Sequence, residues 1–378
     1  MSSSQELYNQ LSETLRELVP VKNSKQVTNW IWVIVGMLQS ESCHLSQIAN
    51  YLPMKSKASS RITLLRRWLM NSHVQVWIFY KKVLEHVFAG WTNVSATIIL
   101  DGVMLFGDHW QVFRVSLLHG NRAIPLAWTV VEGKGLVKVS KLKSMLEKVQ
   151  RFLKKHVKEV LFLADAGFRD RDWAQLCTKL GWKYGIRIAC NTYLTLPNGR
   201  SDRLDRLVPQ NQNRYFQDAL LTKEANWQAN VSVTWTTDKD GKPEMVAIMT
   251  SQIACSARLR EYAWRMSIEQ SFRDDKSGGF DLEHTRLQHA DRVDRLLLAT
   301  AIATLWCHEL GEFVLKRGDE LRCYVDPSFQ RTLSLFQLGF RWLKRSIATM
   351  LHSLPAFRAT LSNLRLKPVV VQIPITNV

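Results

Sequence analysis

Through residues 1 to about 90, apolar side chains recur at three- and four-residue spacing, the period of amphipathic helices, and strand-like runs are few. Within this stretch HLSQIANYLP followed by KSKASSRITLLRRWL predicts two helices joined by a tight turn. The second carries Lys57, Arg61, Arg66 and Arg67, which suits a helix-turn-helix whose second helix enters a major groove. An ordinary helical hairpin with a solvated basic side fits the same residues. From about residue 95 the pattern becomes that of strands. SATIIL, ending at Asp101, is followed by WQVFRVSLLHG and RAIPLAWTVVEG around a turn at His119-Gly120-Asn121-Arg122. A helix over Lys138 to His156 comes next, then strand EVLFLA ending at Asp165, helix DWAQLCTKLG closed by Gly181, and strand WKYGIRIAC.

Three antiparallel strands followed by alternating helix and strand predict a mixed α/β sheet. Its order is similar to that of a ribonuclease-H-like core. Residues 190 to about 255 break the alternation with polar, turn-rich sequence and then VSVTWTT and EMVAIMTS around Asp238-Lys239-Asp240-Gly241, a mainly β insertion ending in a hairpin. A long helix from about Ala257 to Lys276 resumes the core and stops at Gly278-Gly279. DRVDRLLLATAIATLWCHEL then reads as a buried helix and LSLFQLGFRWLKRSI as an amphipathic one. The expected organisation is a helical region over 1–92, suited to DNA by its helix-turn-helix pattern, the first part of the α/β core over 93–190, the β insertion over 191–255, the completed core over 256–300, and a helical region over 301–378.

Composition narrows the partners. The 378 residues hold 51 Lys plus Arg against 33 Asp plus Glu, a net charge of +18, and 46% are hydrophobic. That much apolar surface excludes disorder as the main state. The charge makes nucleic acid the leading partner, since a basic surface attracts polyanions; a well-solvated basic surface is the alternative. Lys138, Lys141, Lys143, Lys148, Arg151, Lys154, Lys155 and Lys158 crowd the first core helix, with only Glu147 and Glu159 near them. The start shows no secretory signal, and the longest uninterrupted apolar run, Trp30 to Leu38, is too short to span a bilayer, so a soluble cytoplasmic protein is expected. Six cysteines without a CxxC pair are expected to be reduced and to form no zinc ribbon.

The chemistry concentrates in acids. Asp101 and Asp165 each follow a short apolar strand, and adjacent strands ending on one side bring the two carboxylates together, where a divalent metal relieves their repulsion. In REYAWRMSIEQSFRDDKSGG, at roughly 100° per residue, Tyr262, Arg265, Glu269 and Lys276 fall within an arc of about 60°. Trp264, Ile268 and Phe272 form a neighbouring apolar stripe suited to press that helix onto the sheet. A solvent-exposed salt-bridged face fits Arg265 and Glu269, an i,i+4 pair, but a tyrosine and a lysine in the same narrow arc fit phosphate binding better. Asp108, Asp170 and Asp172 read as caps or solvated groups, Asp274 and Asp275 fall outside the arc, and His119 and His284 stand alone.

Tyr262, Arg265, Glu269 and Lys276 reproduce Y-x2-R-x3-E-x6-K, and on these residues the chain resembles the DDE transposases of bacterial cut-and-paste insertion sequences. The resemblance runs over about residues 95 to 345 and includes Asp101, Asp165, the β insertion and the late LSLFQLGFRWL segment. It implies that Asp101, Asp165 and Glu269 are catalytic metal ligands for two Mg²⁺ ions about 3.5 to 4 Å apart, with Mn²⁺ able to substitute. It implies that Tyr262, Arg265 and Lys276 hold DNA phosphates, and that a tryptophan of the insertion, Trp235 first and Trp227 second, stacks on a base flipped during hairpin formation; core packing fits either tryptophan equally. The implied partners are double-stranded DNA, as terminal inverted repeats and as target, and a second copy of the chain in a synaptic homodimer. Where the family often has Arg after the second acid, this chain has Ala166, with Arg169 three residues on. Two other readings share these residues: an inactive DNA-binding protein derived from a transposase, and a stand-alone ribonuclease-H-like nuclease or resolvase.

Overall fold

The computed structural model describes residues 2–19, 23–91, 94–120, 122–222, 227–238, 240–328, 330–349 and 354–361. Asn121 and Lys239, expected in turns, lie outside them, as does residue 92 at the first expected boundary. Five helices lead: α1 (Ser3–Leu18), α2 (Ser24–Ser40), α3 (Leu45–Asn50), α4 (Ala58–Met70) and α5 (Val76–Val87). α2 is apolar nearly all round, from Trp30 through Leu38, because it is packed by α1, α3, α4 and a later helix and has almost no wet side.

The sheet begins with β1 (Ser95–Leu105), β2 (Trp110–His119) and β3 (Arg122–Glu132), an antiparallel meander whose second turn closes on the pair His119↔Arg122. After α6 (Val139–Leu153), β4 (Glu159–Ala164) lies parallel to β1; after α7 (Arg171–Lys179), β5 (Lys183–Ile188) lies parallel to β4. Ile98, Ile99 and Leu100 are all fully buried, as a central strand covered on both faces requires.

The turn-rich segment forms β6 (Tyr193–Thr195), β7 (Ser201–Arg203), α8 (Leu204–Leu207), β8 (Arg214–Leu221), β9 (Trp227–Thr237) and β10 (Pro243–Thr250). β10 pairs antiparallel with β5, so these strands continue the core sheet, and the whole runs β3-β2-β1-β4-β5-β10-β9-β8-β6-β7.

The helix expected over Ala257 to Lys276 is instead two, α9 (Ser256–Ala263) and α10 (Met266–Asp275). Between them Trp264, Arg265, Ser267 and Ile268 donate to carbonyls three residues back, a tightened turn that advances faster than the α-helical 100° per residue. The apolar stripe survives the break. Ile268 and Phe272, with Trp264 beside them, pack on Ile99, Ala123 and Leu163, which fixes α10 over β1, β3 and β4.

α11 (Ala290–Lys316), α12 (Asp319–Arg322) and α13 (Leu335–Thr349) complete the chain's helices among the described residues. α11 is long and apolar enough to cross a membrane, yet 89% of its most apolar window is buried against α2, α13 and β3. At its crossing with α13 the backbones touch. A Cβ added at Gly339 would stand 1.8 Å from the Cys307 carbonyl oxygen, so only glycine fits there.

Candidate active site

β1 does not end at Asp101. Its antiparallel pairing with β2 holds through Val103↔Val112 to Leu105↔Trp110, whereas its parallel partner β4 stops at Leu100↔Ala164. The next residue of each strand is Asp101 and Asp165, so the register sets the two acids side by side. β4 stops because Asp165 turns the chain: its Oδ1 accepts from the Gly167 amide at 2.8 Å and caps the short turn Ala166–Phe168. Asp101 Oδ1 accepts from the Gly102 amide at 2.7 Å. Burial pushes the Asp101 carboxyl up to about 6, against the pull of Arg265, with the charges of Asp165 and Glu269 adding to the rise.

Arg265, in the tightened turn, reaches both remaining parts of the site. Its Nη1 donates to Asp101 Oδ2 at 2.9 Å and its Nη2 to Glu269 Oε1 at 2.5 Å. Burial works against the guanidinium charge, but Tyr262, Asp101 and Glu269 outweigh it and hold the pKa above the ordinary arginine value. The guanidinium lies 5.9 Å from the centre of the Tyr262 ring. The Tyr262 phenol is pushed up to about 12, chiefly by burial, and its buried hydroxyl has no hydrogen-bond partner among the described residues.

The break between α9 and α10 overturns the single helical face. Tyr262, Arg265 and Glu269 stay together, but Lys276, the residue after α10, turns to Glu283 at 3.0 Å. Arg169 is exposed and donates to the Ala166 carbonyl at 2.9 Å, folded back on its own turn. Trp235 and Trp227 are half-buried against the main core, each with a buried indole N–H that has no hydrogen-bond partner among the described residues. In the N-terminal helices Lys57, Arg66 and Arg67 are exposed, whereas Arg61 turns inward, donating to the carbonyls of Ala49 at 2.8 Å and Met54 at 3.3 Å and so tying α4 to α3.

The donor set suits a hard divalent cation: three carboxylates, two of them adjacent. Among the described residues, however, no group of three or more His, Cys, Asp or Glu side chains is gathered closely enough to hold a metal ion. Arg265 bridges Asp101 and Glu269, supplying the positive charge between them.

Sequence reasoning missed the residues that hold α10 in place. Asp275 is ion-paired with Arg114 of β2, and Asp274 with the partly buried Arg122 of β3 at 2.6 Å; Arg114, Asp274 and Asp275 are buried. Ser271 Oγ accepts from the Ala123 amide at 2.7 Å, and Arg114 stacks 4.4 Å over the Phe272 ring. The sole signal was the pair of acids left outside the helix arc beside an apolar stripe.

Residues 137–306, which include Asp165 and Glu269, match the family model of the transposase DDE domain. The class of protein this match supports is a DDE transposase. Among solved structures the chain is similar to a piggyBac transposase synaptic complex with hairpin DNA, at 9% identity and a TM-score of 0.40, covering 91% of this chain and 78% of that one. It is also similar to Marinitoga piezophila Argonaute in complex with guide RNA and target DNA, at 10% identity and a TM-score of 0.21, covering 63% and 34%. No curated protein matches.

Proposed function

We propose that this chain is a cut-and-paste DNA transposase that binds terminal inverted repeats, pairs two ends in a homodimer, cleaves them through a hairpin intermediate and transfers the 3′ ends to target DNA. The observation that carries the reading is the strand register that sets Asp101 beside Asp165, with Glu269 brought to the same place through Arg265. The order β3-β2-β1-β4-β5, three antiparallel strands and then two parallel ones, supports a ribonuclease-H-like core.

Asp101, Asp165 and Glu269 would hold divalent cations, Mg²⁺ or Mn²⁺, which when bound polarise the scissile phosphate and activate the attacking oxygen. The chain's own groups do the rest. Arg265 carries two donors already aimed at carboxylate oxygens, and the same fork fits a phosphate bidentately. Exchanging its carboxylates for a phosphate frees Asp101 and Glu269. The buried Tyr262 hydroxyl adds a neutral donor beside it, and Lys276 a point charge farther along the strand. Trp235, or Trp227, serves as the stacking platform if its half-buried ring turns outward. The 1–92 helices bind DNA, and 301–378 serves dimerisation and DNA contacts.

A DNA-binding protein without activity is the second reading, favoured by the arginine bridging two of the acids. Cleavage of a labelled duplex bearing the element's own terminus, with Mg²⁺, separates the two. Wild type is expected to cut at the terminus, with Glu269→Ala and Asp165→Ala slower by on the order of a thousandfold or more. Tight binding without nicking under any divalent metal would establish the inactive reading.

A further inference from the structure

The N-terminal helices and the chain after α10 enclose a cleft of about 400 Å³. One wall is His44 and Arg66, from the start of α3 and from α4; the other is Arg286 with Arg292 of the first turn of α11. Its floor is apolar, with Leu69 and Leu287. His44 has Asp281 at 3.9 Å, but none of the three arginines is ion-paired with a carboxylate among the described residues. Three guanidiniums facing one gap repel one another unless an anion joins them. Their forks match phosphate oxygens, and an apolar floor suits the sugar between two phosphates.

The cleft is fastened to the candidate active site. Leu287 accepts through its carbonyl from Trp110 Nε1 at 2.7 Å, and the Glu283 carbonyl accepts from the Phe106 amide at 3.1 Å, so this wall is held to the β1–β2 turn. Glu283 in turn pairs with Lys276. We infer that this cleft is a composite phosphate clamp for a DNA backbone, in which Arg66 of the N-terminal helices acts with Arg286 and Arg292 on the duplex that enters the acidic site. The inference rests on the transposase reading and places Arg66 on the backbone, where the helix-turn-helix reading has its helix in a groove.

The test is the salt dependence of binding of the full chain to a mixed-sequence duplex, in EDTA so that no cleavage intrudes. Arg66→Ala/Arg286→Ala/Arg292→Ala is expected to make the log–log slope shallower by about 2 to 3, since each lost phosphate contact removes about 0.9. If the triple variant melts early, exposed Arg286→Ala alone is expected to remove about 0.9. A folded variant with the wild-type slope overturns the inference. Calorimetry with inorganic phosphate is the second arm: phosphate binding lost in the variant while the duplex slope is unchanged identifies a small-anion site and overturns the DNA clamp. A protein that shows the slope change yet never cuts DNA refutes the catalytic reading and leaves the clamp standing.

Discussion

Asp294 illustrates how burial writes pH dependence into single residues. It accepts from Trp128 Nε1 at 2.6 Å, and burial pushes its carboxyl up to about 6, against that hydrogen bond and the charges of Arg295 and Lys148. The fold therefore favours the protonated form. Below the ordinary carboxylate range folded and unfolded chains are both protonated and nothing is lost; as pH rises through about 6 the fold must ionise a buried group and stability falls. Asp294→Asn keeps the acceptor for Trp128 without the charge. It is expected to raise stability at pH 8 by on the order of 2 kcal/mol and to change little at pH 4, as read by denaturant titration at both. Glu309, pushed up to about 7 by burial, gives the same sign.

Among elements, α10 matters most, because it carries Glu269 and is held from two sides. Its apolar stripe seats it on Ile99 and Leu163, while Asp274 and Asp275 bind it to the β2–β3 hairpin. A buried ion pair contributes little over an apolar pair of similar shape, but removing one partner strands a charge. Asp275→Ala is therefore expected to cost about 3 to 5 kcal/mol in urea denaturation, and Arg114→Met/Asp275→Leu to recover most of it. The stripe was legible in the sequence because apolar spacing records which side of a helix is dry. The break at Trp264 and Arg265 was not, since three-residue hydrogen bonding changes no residue type. Nor did spacing show that β1 outruns β4 beyond Asp101, which depends on pairing with β2.

On the scale of the molecule, the +18 charge is unevenly placed. Lys138, Lys141, Lys143, Lys148, Arg151, Lys154, Lys155 and Lys158 are all exposed on and around α6, and among them Lys143 makes a weak pair with Glu147 at 3.9 Å. Lys154→Ala/Lys155→Ala/Lys158→Ala lowers the charge to 18 − 3 = +15 without touching the core. Stopped-flow association with duplex DNA is expected to slow by about two- to tenfold at low salt and to match wild type at about 0.5 M, where screening shortens the reach of surface charge.

The sequence by itself determined the periodic features: the leading helices, the strands around SATIIL and EVLFLA, the stripe on α10, the buried α11 and the basic face of α6. Each element must dry one side, and that requirement is written locally in its residues. Tertiary structure alone decided which charges meet. It joined β10 to β5, turned Arg61 inward, sent Lys276 to Glu283, placed Arg265 between Asp101 and Glu269, and brought Arg66 to face Arg286 across more than two hundred residues of chain. Ion partners are chosen by proximity in the packed molecule, and that proximity follows from the packing of every element together.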